Sequence, residues 1–129
     1  MATHVGTSGV VKVGSNTVAE VTGFTIDESA DVVEDSQLTD TSKSYKVLRS
    51  DATGTVECHW DETDTTGQTA LAVGSSVTLN LYPEGDSSGD TYYTGTALVT
   101  GVSQNVSLDG VIARTITVQF SGGVSTTTV

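Results

Sequence analysis

The chain is 129 residues long, carries a formal charge of −11 and has only five basic residues. That length suits one domain with a two-layer core, and the acidity argues against nucleic-acid binding by phosphate neutralisation and against docking on anionic membranes. A single cysteine, Cys58, excludes an internal disulfide, and an aromatic fraction of 5% leaves the core to Val, Leu, Ile and Ala.

The opening MATHVGTSG has neither a basic stretch nor an apolar run, so it does not read as a secretory signal. No apolar run approaches transmembrane length. Residues 9–13 (GVVKV) read as a short strand, Gly14-Ser15-Asn16 as a turn, and residues 17–26 (TVAEVTGFTI) as a second strand. Val18, Glu20, Thr22, Phe24 and Ile26 share one parity there, and Ala19, Val21, Gly23 and Thr25 share the other. Neither face is cleanly apolar, and Gly23 suits a bulge that swaps the faces midway.

Residues 27–50 follow as a long polarised arm. Loops beyond about 12–15 residues are uncommon in compact domains and are usually functional or disordered. Asp27, Glu28, Asp31, Glu34, Asp35 and Asp40 fill its first part. Lys43, Lys46 and Arg49 follow, and they are three of the five basic residues. Val32, Val33, Leu38, Tyr45, Val47 and Leu48 give it apolar anchors that a purely disordered segment lacks. The stretch reads as a flexible hairpin-like extension built to dock; the plainer alternative is a solvated surface loop folded back on its own sheet.

Residues 52–60 (ATGTVECHW) alternate, with Val56, Cys58 and Trp60 on a core side and Thr53, Thr55, Glu57 and His59 on a wet side. A short helix is expected over residues 64–73, with Thr65 as N-cap and Gln68 completing a capping box. Gly74 suits its C-terminal end. Residues 76–82 (SVTLNLY) alternate again with Val77, Leu79 and Leu81 inward, and residues 83–90 form a turn-rich hairpin loop. Residues 91–106 read as a long strand region interrupted near Gly101. Asp109-Gly110 is a hairpin signal. Residues 111–120 close the domain, with Ile112, Ile116, Val118 and Phe120 on one side and Thr115, Thr117 and Gln119 on the other. The tail, residues 121–129, is Gly, Ser and Thr with valines and reads as flexible. The sum is a single, mainly β domain: an antiparallel sandwich or half-barrel with one short helix.

The search for chemistry yields little. Cys58 and His59 are adjacent, so on a strand they point to opposite faces and cannot share an ion, and His4 is remote in sequence. Asp61, Glu62 and Asp64 cluster, and Asp86 and Asp90 flank a turn, but neither set follows a calcium-loop pattern. Glu57 and His59 share a strand face without a nucleophile in any recognisable context. No catalytic residue, metal or cofactor is expected.

One resemblance covers nearly the whole chain, in order, as loose patterns. It runs through Trp60-Asp61-Glu62-Thr63-Asp64, Gly67-Gln68-Thr69-Ala70-Leu71, Gly74, then Val77-Thr78-Leu79-Asn80-Leu81-Tyr82-Pro83-Glu84-Gly85, and Tyr93-Thr94-Gly95-Thr96-Ala97-Leu98-Val99-Thr100. Ala30-Asp31 with Glu34, and Val118-Gln119-Phe120 with Gly122-Gly123, extend it. These segments resemble the tail tube (major tail) proteins of long-tailed bacteriophages. The resemblance implies a virion protein assembled in the host cytoplasm. Six copies form a ring whose inner sheets join into a barrel, and rings stack around a tape-measure protein between terminator and distal tail proteins. DNA then passes through without specific binding, and no membrane is involved. It maps an inter-ring loop onto residues 27–50. Parity then gives Glu20, Thr53, Thr55, Glu57, Thr115, Thr117 and Gln119 as candidates to face the lumen. A carbohydrate-binding or adhesive module using Trp60, Tyr92 or Tyr93, and another virion part such as a tail terminator, are the rival readings.

Overall fold

The computed structural model describes residues 6–61, 63–108 and 110–129. The expectations that involve His4, Glu62 and Asp109 lie outside those residues. A short 3-10 turn, Gly6–Ser8, leads into seven strands: β1 Val10–Val13, β2 Asn16–Thr17, β3 Val21–Glu34, β4 Tyr45–His59, β5 Ser76–Tyr82, β6 Thr91–Asn105 and β7 Ala113–Thr128. All pair antiparallel in one sheet of order β2-β1-β5-β6-β7-β4-β3.

The alternation of Val with Thr decides which face is buried. On β4, Ala52, Gly54, Val56 and Cys58 are buried while Thr53 and Glu57 are exposed. On β7, Ile116, Val118 and Phe120 turn inward. Together with Val11, Leu79, Leu81, Ala97 and Val99 they form a single core on one face of one sheet. A sheet with one apolar face must curl to enclose it, and this one closes into a half-barrel. A Cβ on Gly9, beside β1, would lie 3.6 Å from the Phe24 ring on β3, so strands far apart in the sheet order meet across the core.

Two of the four register shifts among the described strands bear on the expected faces. Val21 pairs with Cys58 and Gly23 with Glu57, so one extra residue sits between them on β3. The inward set therefore passes from Val21 to Phe24 and Ile26, which is the face swap expected at Gly23. On β6 the register slips between Val99 and Gly101, at the expected interruption. The curl also brings neighbours close at Gly54, where a Cβ would lie 3.2 Å from both Phe120 and Val118, so a side chain there would make them shift.

Four expectations are corrected. Residues 64–73 form no helix but a run of tight turns. Asp64, not Thr65, caps them: its carboxylate accepts from Gly67 N at 3.1 Å, Gln68 N at 3.0 Å and Ala19 N at 2.8 Å. Thr69 N bonds Asp64 O and Leu71 N bonds Gln68 O, an uneven spacing that cannot propagate as an α-helix. Residues 121–129 are not a loose tail, because β7 runs to Thr128 and pairs Ser125–Thr128 with Thr91–Thr94. Glu20 is not on a strand; it sits in a turn with φ of 58°, and its carbonyl accepts from His59 N. Trp60 lies just past the end of β4 and is 39% exposed, so the strand's parity does not carry it into the core.

Candidate assembly surfaces

The arm is a β-ribbon. β3 and β4 pair with each other to Glu34↔Tyr45, but β4 pairs with β7 only from Thr53 to His59. Asp51 and Ala52 still touch β7 through Gln119, and Ala52 is in the core; from Ser50 to Tyr45, β4 pairs with β3 alone. Six residues of strand, 45–50, at about 3.3 Å each carry this ribbon roughly 20 Å outward before its tip loop. A second slip between Ala30 and Val32 bends it. The sequence marked this segment as a hairpin-like extension, and its strands are longer than expected because Val32 pairs with Val47.

The tip holds itself. Asp35 N donates to Ser44 O, Gln37 N donates to Asp40, and Ser44 N donates to Ser36 Oγ. Lys46 reaches Asp35 at 3.8 Å. Lys43 and Arg49 are exposed and make no ion pair among the described residues. Asp31, Glu34 and Tyr45 are also exposed on the ribbon, with Glu28 at its base. Asp27 instead pairs with Thr53 on the sheet of the body. Exposed Val32, Val47 and Leu48 leave the ribbon with apolar surface and nothing beneath it. An isolated two-stranded ribbon is marginal in water, so this one suits a partner.

The second surface is the outer face of the sheet. Thr53 pairs with Gln119, Thr55 with Thr117 and Glu57 with Thr115, so six of the seven sequence candidates stand in three cross-strand rows. β3 extends those rows with Asp27 and Thr25, and β6 adds Ser103 beside Thr115. Gln119 is anchored by Asp51, to which its amide donates at 2.5 Å. Glu20, at a turn, stands outside the rows.

A third surface was not anticipated. At the end of the body opposite the arm, Trp60 N donates to Ile112 O, which holds Trp60 beside the β6–β7 connection. There Leu108 is fully exposed and Val106 and Val111 are each 68% exposed. The apolar residues around Asp109 were the available signal, since Val106, Leu108 and Val111 fall in a turn that needs none.

The same end carries buried polar groups. His59 Nδ1 and Arg114 Nε have no hydrogen-bond partner among the described residues. Burial pushes the Cys58 thiol above its ordinary range, partly offset by the Arg114 charge and reinforced by Asp64. Glu57 and His59 make no hydrogen bond to each other among the described residues. The carboxylates weighed as ligands are engaged otherwise: Asp61 accepts from Thr63, Asp64 caps the turns, Asp86 pairs with Lys12 at 3.1 Å, and Asp90 accepts from Ser87 N. Tyr92 stacks on the buried Tyr82 at 4.6 Å between centroids, so it is not a free aromatic platform.

No protein-family model and no curated protein matches the chain. Solved structures do. Over 97% of its length the chain is similar to 99% of a chain from the tail of an empty gene transfer agent particle with C6 symmetry, at a TM-score of 0.77 and 16% identity. It is similar over 98% of both chains to a sheath/tube terminator of an extracellular contractile injection system, at a TM-score of 0.78 and 11% identity. The SPP1 tail tube matches 95% of this chain and 76% of its own, at a TM-score of 0.68 and 8% identity. The half-barrel with its projecting ribbon is the tail tube fold.

Proposed function

We propose that this chain is a structural protein of a virion tail, which assembles into six-membered rings stacked as a hollow tube for genome delivery. The observation that carries the reading is the ribbon of β3 and β4: beyond its anchored base, roughly 20 Å of strand paired only with itself and carrying exposed apolar residues. Such a segment is complete only against another molecule. The C6 symmetry of the similar gene transfer agent tail supports six copies per ring.

The Thr-rich face suits the bore. It carries Asp27 and Glu57 and no basic residue in its paired rows. Duplex DNA bears one negative charge per ~1.7 Å, and repulsion from wall carboxylates acts over a screening length of ~8 Å. DNA then slides without binding. In this reading the tube surrounds a tape-measure protein during assembly and is bounded by terminator and distal tail proteins, and residues 27–50 bridge adjacent rings.

A second reading, a tube terminator, is favoured by the likeness to the sheath/tube terminator. Negative-stain microscopy of the purified, concentrated chain separates the two. Long hollow tubes are expected; single rings would favour a terminator, and monomers alone would refute both.

A further inference from the structure

We propose that the arm of one copy docks through its apolar residues on the opposite end of the next copy, on the patch formed by Trp60, Leu108 and Val111. The proposal rests on the tube reading above and adds the surface that receives the arm.

The topology puts the two surfaces at opposite ends of one molecule. β4 enters the body from the arm at Tyr45 and finishes at His59, and β7 begins beside that finish, His59 pairing with Ala113. Trp60 and the connection that carries Leu108 and Val111 therefore close the end remote from the arm. Both surfaces are apolar without a partner: Val47 is 70% exposed on the arm, and Leu108 is fully exposed on the far end. Complementary surfaces at opposite ends join copies head to tail. Such a contact does not close on itself and propagates along an axis.

Charge selects the same pairing. Of the five basic residues, Lys12 is paired with Asp86 and Lys46 with Asp35. Arg114 lies beside Cys58 at the core. Lys43 and Arg49, both on the arm, remain available. The far end presents exposed Glu20 beside His59, and Glu57 two residues before it. In a chain of charge −11 the arm offers two exposed cations that make no ion pair among the described residues, and exposed Glu20 and Glu57 near the apolar far end complement them. The apolar contact supplies attraction, and the cations fix orientation and discriminate against arm-to-arm pairing.

Cysteines introduced together as Val47→Cys and Leu108→Cys test the docking. Fifteen residues of β4 separate the two ends, roughly 50 Å of strand, so no bond forms within one chain. Native Cys58 is buried and stays out of the reaction. Tubes assembled under reducing conditions and then oxidised are expected to give a ladder of three and more linked chains on a non-reducing gel. Either single variant should give none. Tubes that form but do not cross-link would overturn the docking, and so would dimers from Val47→Cys alone, which would show arms meeting arms. Leu108→Asp is an independent arm of the test, since that side chain lies outside the core: a folded, non-assembling protein is expected, and normal tubes would overturn the proposal. If the unsubstituted chain forms no tubes, the tube reading itself fails and the docking with it.

Discussion

Gln68 ties three backbone segments together with one side-chain amide. Its Nε2 donates to Ala19 O at 2.8 Å and to His59 O at 2.7 Å, and its Oε1 accepts from Asp61 N at 3.0 Å. The residue is almost wholly buried, so water cannot replace these bonds. Gln68→Leu keeps the size and strands three backbone groups; a loss of about 3 kcal/mol or more is expected in urea unfolding. The Cys58 thiol behaves in the opposite sense, as a core residue that must stay neutral. Burial raises its pKa above the ordinary 9.0, so the folded state holds the proton more tightly than the unfolded chain. Its contribution is complete below that value and is lost as pH climbs through the raised one. Maleimide at pH 8 should leave the native protein unmodified for hours and label it promptly in urea. Prompt labelling of native protein would mean that the strand ends open easily.

Strands, bulges and the arm were readable from the sequence because each has a local cause. Alternating Val and Thr at residues 53–58 and 115–120 fix a face with no help from distant residues. Gly23 sits where the apolar set changes parity, and the arm combines acid, base and apolar anchors at a length no turn needs. The elements that were misread depend on distant residues. Thr65 with Gln68 is a capping pattern, but Gln68 is drawn away by Ala19 and His59, and a Cβ on Gly67 would lie 2.8 Å from the Val18 backbone. Thr and Ser in residues 121–129 read as loose, yet Thr is a strand former and Thr91–Thr94 offers it an edge. Trp60 shares the parity of Cys58, but parity has no meaning once the strand has ended. The arm's independence from the body gives a prediction at this scale. Replacing residues 30–49 by Asn-Gly removes only ribbon paired with itself. The shortened chain should keep its thermal transition within a few degrees, since ~1 kcal/mol shifts the Tm of such a domain by roughly 2–8 °C, and it should form no tubes on electron microscopy.

For the molecule as a whole, three surfaces have no use in a monomer: a ribbon paired beyond its base only with itself, a polar face aligned across four strands, and an apolar patch at the end remote from the ribbon. The remaining edge of β7 beyond Phe120 is also open among the described residues, because β4 has left the sheet to enter the arm. Unpaired edges need partners or protection, and a ring that joins sheets side by side removes them. In the proposed assembly, side-to-side joining makes rings and end-to-end docking makes a tube. Helical reconstruction of assembled tubes by cryo-electron microscopy tests this most directly. The account predicts Thr55 and Thr117 on the wall of the bore, with residues 27–50 crossing to the next ring. Tubes with those threonines on the outer surface, or with each arm folded against its own body, would contradict it.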